Sequence, residues 1–87
     1  MKVIKPRYYS ENEQLIVRFE NEYGASIVSH SGSYGYEEGQ VELAVLKWYG
    51  PGNYDFHLCY DTYITDDVIG HLTTDEANAI VEQIKEL

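Results

Sequence analysis

His57 and Cys59 are the residues of this chain best suited by type to covalent chemistry. They lie two apart in a predicted strand, so their side chains share one face. A thiol beside an imidazole can form a nucleophilic thiolate or provide half of a zinc site. There is no second cysteine, and His30 and His71 fall in predicted loops far along the chain. We therefore predict a small buried thiol beside a surface imidazole, with no enzymatic activity, no metal site and no cofactor.

Three acidic residues, Asp61, Asp66 and Asp67, follow the last predicted strand. Carboxylates are the ligands that Ca²⁺ and Mg²⁺ prefer, but the spacing does not match a calcium-binding loop because no acid follows at the later ligand positions. A simpler use is to favour the positive end of a short helix. The sequence predicts such a helix over Thr65–Gly70, ended by its glycine.

A glycine-rich segment over 31–40 offers many hydrogen-bond donors. A phosphate-binding loop would need a lysine after its glycines, whereas Glu37 and Glu38 follow here and repel phosphate. The serines beside His30 could suggest a hydrolase, but no positioned acid or nucleophile elbow accompanies them. We predict a connecting loop.

Tyrosine is unusually frequent, with 9 in 87 residues. Several of them fall at or beside predicted turns, namely Tyr23, Tyr34, Tyr36, Tyr49 and Tyr54. Tyrosine offers a large contact area with little conformational entropy to lose, so it is enriched in protein interfaces. The alternative is ordinary β-propensity, which suits Tyr54 and Tyr60 in a strand.

Charge is the outstanding compositional feature, since 15 Asp and Glu face 6 Lys and Arg for a formal net charge of −9. Residues 48–87 hold eight of the acids and a single base, Lys85. Such a surface repels phosphate backbones and anionic lipid, so we predict no direct nucleic-acid binding and no membrane binding.

The length of 87 residues predicts one domain, 1–87, with a small core. No apolar run approaches the roughly 18 residues of a membrane span. The first six residues, Met-Lys-Val-Ile-Lys-Pro, lack the apolar core of a signal peptide. We therefore expect a cytosolic protein.

Apolar residues alternate with polar ones in the first two thirds of the chain and predict strands. These strands cover 14–20, 25–30, 41–48 and 54–60, and consecutive pairs form two hairpins. In the third strand Val41, Leu43 and Val45 should face one way, and Ala44, Leu46 and Trp48 the other. Residues 21–24 are predicted as a turn, in which Asn21 and Gly24 are able to take positive φ. Residues 1–12 are predicted as an irregular arm or an edge strand.

The C-terminal segment predicts a helix. Thr73 and Glu76 match the capping box, and Ala77, Ile80, Val81, Ile84 and Leu87 follow at helical spacing. The predicted fold class is α+β, a four- to five-stranded antiparallel sheet with a C-terminal helix packed on one face.

Most of the chain, roughly 17–87, resembles a family of small, mostly uncharacterised proteins of bacteriophages and other bacterial mobile elements. The matching stretches are 19–28 (FENEYGASIV), 33–35 (SYG) with 42–46 (ELAVL), and 60–73 (YDTYITDDVIGHLT). The chain departs from the family where Glu22 replaces a glycine and Tyr63 a proline, and where its second hairpin is longer. The resemblance implies a genomic neighbourhood and no catalytic residues.

Small acidic phage proteins often act by binding a host protein, and an acidic surface can occupy a basic nucleic-acid groove. We therefore expect a non-enzymatic inhibitor of a bacterial defence complex or nuclease, with an anti-CRISPR as the specific hypothesis. The expected contact residues are Glu37, Glu38, Asp61, Asp66, Asp67, Tyr34, Tyr36, Trp48 and Tyr49. The chain would act as a monomer or a homodimer. The alternative is a homodimeric accessory protein that pairs through a strand edge and the face of Leu46 and Trp48.

Overall fold

The computed structural model of the chain describes residues 2–5, 12–30, 40–65 and 67–87. In chain order the elements are β1 (Lys2–Lys5), β2 (Asn12–Arg18), β3 (Tyr23–His30), β4 (Val41–Trp48), β5 (Phe56–Leu58), β6 (Ile69–Leu72) and α1 (Thr74–Lys85). The predicted α+β class is confirmed: the described residues form an antiparallel sheet of 6 strands, two of which share one edge of the sheet, with a C-terminal helix packed on it. Among the described residues, no helix has the length and apolar character needed to cross a bilayer.

All strand pairings are antiparallel, and β1 to β5 follow one another across the sheet in chain order. The remaining strand, β6, also pairs with β4. It lies beside the first half of β4, at Val41 and Leu43, whereas β5 lies beside the second half, from Leu46 to Trp48. β5 and β6 are therefore two parts of one interrupted edge strand, and loop 59–68 leaves the sheet between them.

Helix α1 begins as the sequence predicts. Thr73 Oγ1 accepts a hydrogen bond from the Glu76 amide (3.2 Å), and Glu76 Oε1 accepts one from the Thr73 amide (2.9 Å). The hydrogen bond from the Thr73 amide, and secondarily that from the Thr73 hydroxyl, lower the pKa of the Glu76 carboxyl, because they favour its charged form. The capping box therefore satisfies amides that the first helical turn leaves without partners.

The other end of α1 is tied to the β2–β3 turn by Asn21. Its amide nitrogen lies 3.0 Å from the carbonyl oxygen of Ile84, 3.3 Å from that of Lys85 and 3.1 Å from that of Leu87. Its carbonyl oxygen accepts from the Tyr23 amide at 3.0 Å. One side chain thus stabilises both the turn and the last carbonyls of the helix.

The two faces of β4 build two cores, as the alternation predicts. On one face lie Val41, Leu43 and Val45, which join the helix residues Ala77 and Ile84. On the other lie Leu46 and Trp48, which join Ile16, with Ile4 and Phe56 packed against them. No element of regular structure among the described residues covers this second face as α1 covers the first. We call the two clusters the helix-side core and the tryptophan core.

One prediction about the local backbone is wrong, and the left-handed residue of the first turn differs from those that the sequence suggests. Residues 67–70 form no helix, because Ile69 and Gly70 begin β6 and pair with β4. In the first turn Glu22, rather than Asn21, takes the left-handed conformation with a φ of 69°. Gly24 is required for a different reason: a Cβ there would lie 2.0 Å from the Val17 carbonyl oxygen. The sheet packs too closely at this point for any side chain.

Candidate functional site

The structure describes only part of the predicted contact surface. Tyr34, Tyr36, Glu37 and Glu38 of the glycine-rich loop lie outside the described residues, as does Asp66. Their roles stay predictions from the sequence. Trp48, Tyr49, Asp61 and Asp67 are described, and they fall in β4, in the turn after it and in loop 59–68.

Trp48 lies in the tryptophan core and is only 3% exposed. Its indole Nε1 donates to the Asn53 carbonyl oxygen (3.1 Å), its ring centroid lies 5.0 Å from that of Phe56, and the Arg18 guanidinium stands 5.2 Å from the ring centroid. The indole is covered because its own hairpin turn folds back over it. Trp48 therefore supports the hairpin from within and does not offer its ring to a partner. Leu46 beside it is also fully buried, so this face does not offer the pairing surface that was expected for a homodimer.

The exposed aromatic surface instead surrounds the short strand β5. Large exposed side chains here are Tyr49 (70% exposed), Tyr54 (62%), Leu58 (46%), Tyr60 (40%) and Tyr63 (75%). Tyr49 and Tyr54 belong to the turn before β5, and Tyr60 and Tyr63 to the loop after it. We call this group the tyrosine edge. Only Tyr49 of the group was among the contact residues that the sequence predicted.

The tyrosine edge has aromatic rings on both faces of the sheet. On one face the Tyr49 ring stacks on the His57 imidazole, with centroids 6.1 Å apart and planes 13° apart. On the other the Tyr54 ring lies 6.3 Å from Phe56, which itself packs on the tryptophan core. β5 is therefore flanked above and below by rings that the sheet holds in place.

Acidic side chains accompany these rings, and local hydrogen bonds orient them. Asp55 Oδ2 accepts from the Gly52 amide (2.9 Å) and closes the hairpin turn. Asp61 Oδ1 accepts from the Cys59 thiol (2.9 Å), and Asp67 Oδ1 accepts from the Val68 amide (2.7 Å). Thr65 Oγ1 also donates to the Asp67 carbonyl oxygen (2.8 Å). The structure thus places Asp61 and Asp67 at exposed positions where their side chains accept local hydrogen bonds.

The Cys59 thiol is buried, as the sequence predicts, while His57 is exposed. Burial raises the pKa of Cys59, and the hydrogen bond to Asp61 raises it further because it is made by the neutral thiol. A reactive thiolate requires the opposite environment. His57 in turn stacks on Tyr49. Within the described part of the chain, no group of three or more His, Cys, Asp or Glu could hold a metal ion.

Comparison of the chain with protein-family models, with curated proteins and with solved structures finds no match. The resemblance to a phage family therefore stays a prediction from the sequence.

Proposed function

We propose that this chain is a non-enzymatic inhibitor of a bacterial defence system, of the kind that phages carry, and specifically an anti-CRISPR protein. It would act in the host cytosol by binding a host protein or nuclease complex through the tyrosine edge and loop 59–68. The observation that carries the proposal is the coincidence of exposed tyrosines with the acidic half of the chain, where Lys85 is the only base among residues 48–87.

The charge supports a partner with a basic groove. A nuclease groove is already shaped and charged for phosphates, so a protein with a net charge of −9 is attracted to it and an exposed acidic loop can occupy it. Exposed tyrosines supply contact area that charge alone does not. Asp61 and Asp67 would provide the charge, and Tyr49 and Tyr63 the contact area.

An infection assay tests the function directly. Phages carrying or lacking this gene are plated on hosts with and without active CRISPR systems of several types. The proposal expects more plaques from the phage that carries the gene, and only on hosts whose CRISPR system is active. Equal plaque numbers across all types tested would overturn it.

Binding to a captured target then separates charge from contact area. Asp61→Asn with Asp67→Asn removes two charges and keeps oxygens that can accept the same hydrogen bonds, whereas Glu82→Gln with Glu86→Gln removes two charges from exposed positions at the end of α1. If mimicry of phosphate drives binding, only the first pair weakens it, and the effect fades at high salt. If the rings dominate, Tyr49→Ala with Tyr63→Ala weakens binding at any salt concentration.

A further inference from the structure

Resting on the proposed function, we propose that β5 accepts an extended, lysine- or arginine-bearing segment of the partner protein as an added antiparallel or parallel strand. The segment would pair with the outer edge of β5 and lie between the rings of the tyrosine edge. The proposal depends on three features: the outward backbone groups of β5, the side chains along its edge, and the acidic residues that flank it.

Within the part of the chain that the structure describes, the outward backbone groups of β5 make no hydrogen bond. Cys59 N–H donates to the Val45 carbonyl (2.8 Å), and Tyr49 N–H donates to the Asp55 carbonyl (2.9 Å). Hydrogen-bonded and non-bonded pairs alternate along an antiparallel ladder. The pairs Leu46–Leu58 and Trp48–Phe56 are therefore non-bonded, so the N–H and C=O groups of Phe56 and Leu58 point away from β4.

The opposite edge of the sheet is protected in ways that β5 is not. β1 begins with Lys2 and has a register shift between Val3 and Lys5, and a lysine and a bulge are both devices that discourage strand addition. Lys2 Nζ also donates to Asn53 Oδ1 (2.9 Å), so its head group is already engaged across the sheet. β5 contains no lysine, no proline and no bulge, and its Leu58 side chain is 46% exposed.

The acidic residues around β5 favour a basic partner segment. Asp55 precedes β5 and Asp61 follows it closely, and no Lys or Arg occurs between residues 48 and 84. Lys47, across the ladder from His57, points its ammonium at the Tyr23 ring, 4.2 Å from the centroid. A second copy of this chain would bring another net charge of −9 to the same edge, so a basic segment is the better occupant.

The test uses nuclear magnetic resonance of the ¹⁵N-labelled full chain. The probe is a short acetylated and amidated peptide in which lysine alternates with valine, and the control peptide has glutamate in place of lysine. The proposal expects shift changes centred on Phe56 to Cys59, together with slower hydrogen exchange of the Phe56 and Leu58 amides, from the lysine peptide alone. Changes centred elsewhere, no change at millimolar peptide, or equal effects of both peptides would overturn it.

Variants of Leu58 then distinguish the contribution of its backbone N–H to peptide binding from that of its side chain. Leu58→Pro removes the outward N–H without removing a β4 bond, and we expect about tenfold weaker binding, as for the loss of one or two hydrogen bonds. Leu58→Ala keeps that N–H and should bind better than Leu58→Pro. Val3→Pro is the matched change at the β1 edge, where the same alternation turns the Val3 amide outward, and it should not alter binding. Equal affinity of Leu58→Pro and Leu58→Ala would contradict the proposal.

Leu58→Lys provides a second route if the proline variant does not fold, since it keeps the backbone and should repel the lysine peptide. Sedimentation of the wild type without peptide tests the rival occupant, because a dimer that Leu58→Lys dissociates would assign the edge to a second copy. The infection assay is independent of these results. If the peptide fails while the gene still protects phage, the inhibitor function stands and only strand addition is lost.

Discussion

The two faces of the sheet are both apolar, yet they are closed in different ways. The helix-side core is covered by α1, and many aliphatic side chains from several elements share it. Among the described residues, the tryptophan core has three buried members, Ile16, Leu46 and Trp48, of which only Trp48 carries a large ring. No helix among the described residues covers this second face; one indole fills it, and the adjoining hairpin turn folds over that indole. The loss of a single side chain should therefore cost more on the tryptophan side.

Trp48→Ala is expected to have the largest effect, about 3–5 kcal/mol, as for other large buried aromatic residues. Against a total stability of about 5 kcal/mol, the lower end of the usual range and the value expected of so small a core, this leaves the domain marginally folded or unfolded. Urea denaturation monitored by circular dichroism measures this loss of stability. Tryptophan fluorescence does not serve here, because the variant lacks the only tryptophan of the chain. Tyr49→Ala, a change in the neighbouring exposed residue, is the control and should stay within about 0.5 kcal/mol. If Trp48→Ala costs less than Ile84→Ala, the contrast between the two faces is reversed.

Ile84→Ala should cost about 2–4 kcal/mol, because the side chain is fully buried and its loss leaves a cavity under α1. Thermal denaturation measures the change, with the exposed Gln83→Ala as the matched helix control. A melting temperature that Ile84→Ala leaves unchanged would mean that the helix is not docked on the sheet.

Asn21→Ala should cost about 1–2 kcal/mol, since it removes hydrogen bonds to the last carbonyls of α1 and to the Tyr23 amide. Asn78→Ala, an exposed change within the helix, serves as its control. Asn21→Asp keeps the acceptor for Tyr23 but places a negative charge at the negative end of the helix, so it should not restore stability. Full stability in Asn21→Asp would show that the contact with the helix end contributes nothing.

The smallest expected effect on stability is the pH dependence that comes from the Cys59 thiol, next to the tyrosine edge. Because its pKa is raised in the folded protein, the unfolded chain loses the thiol proton first as pH rises above about 8.5. The stabilisation by the neutral thiol is therefore present below that pH and is lost as pH rises through the folded pKa. Iodoacetamide should modify the native protein more slowly than the urea-unfolded chain at the same pH.

Asp61→Asn should speed this modification, because it removes the carboxylate that disfavours the thiolate. Asp67→Asn is the matched control, since Asp67 bonds the Val68 amide and not the thiol. If the two variants are modified at equal rates, Asp61 does not contribute to the raised pKa of Cys59.

Local patterns in the sequence determined much of the fold. The alternation in 41–48 predicted both the bounds of β4 and the separation of its two faces, because a strand's period of two assigns each side chain to a face. The capping box at Thr73 and Glu76 predicted where α1 begins, because all of its hydrogen bonds lie within four consecutive residues. These features need no information from distant parts of the chain.

Only the tertiary structure decided the rest. Thr65 and Asp67 make local hydrogen bonds that resemble those of a helix start, but pairing with β4 directs residues 69–72 into a strand. The sequence predicted Trp48 as a contact residue, whereas in the structure the hairpin turn covers its indole. Which strand would be left at the edge, and hence that rings would flank β5, depends on strand order. β1 to β5 pair in chain order, so β5 is the outer strand because β6 returns to β4 and does not add beyond β5, and no local spacing encodes that return.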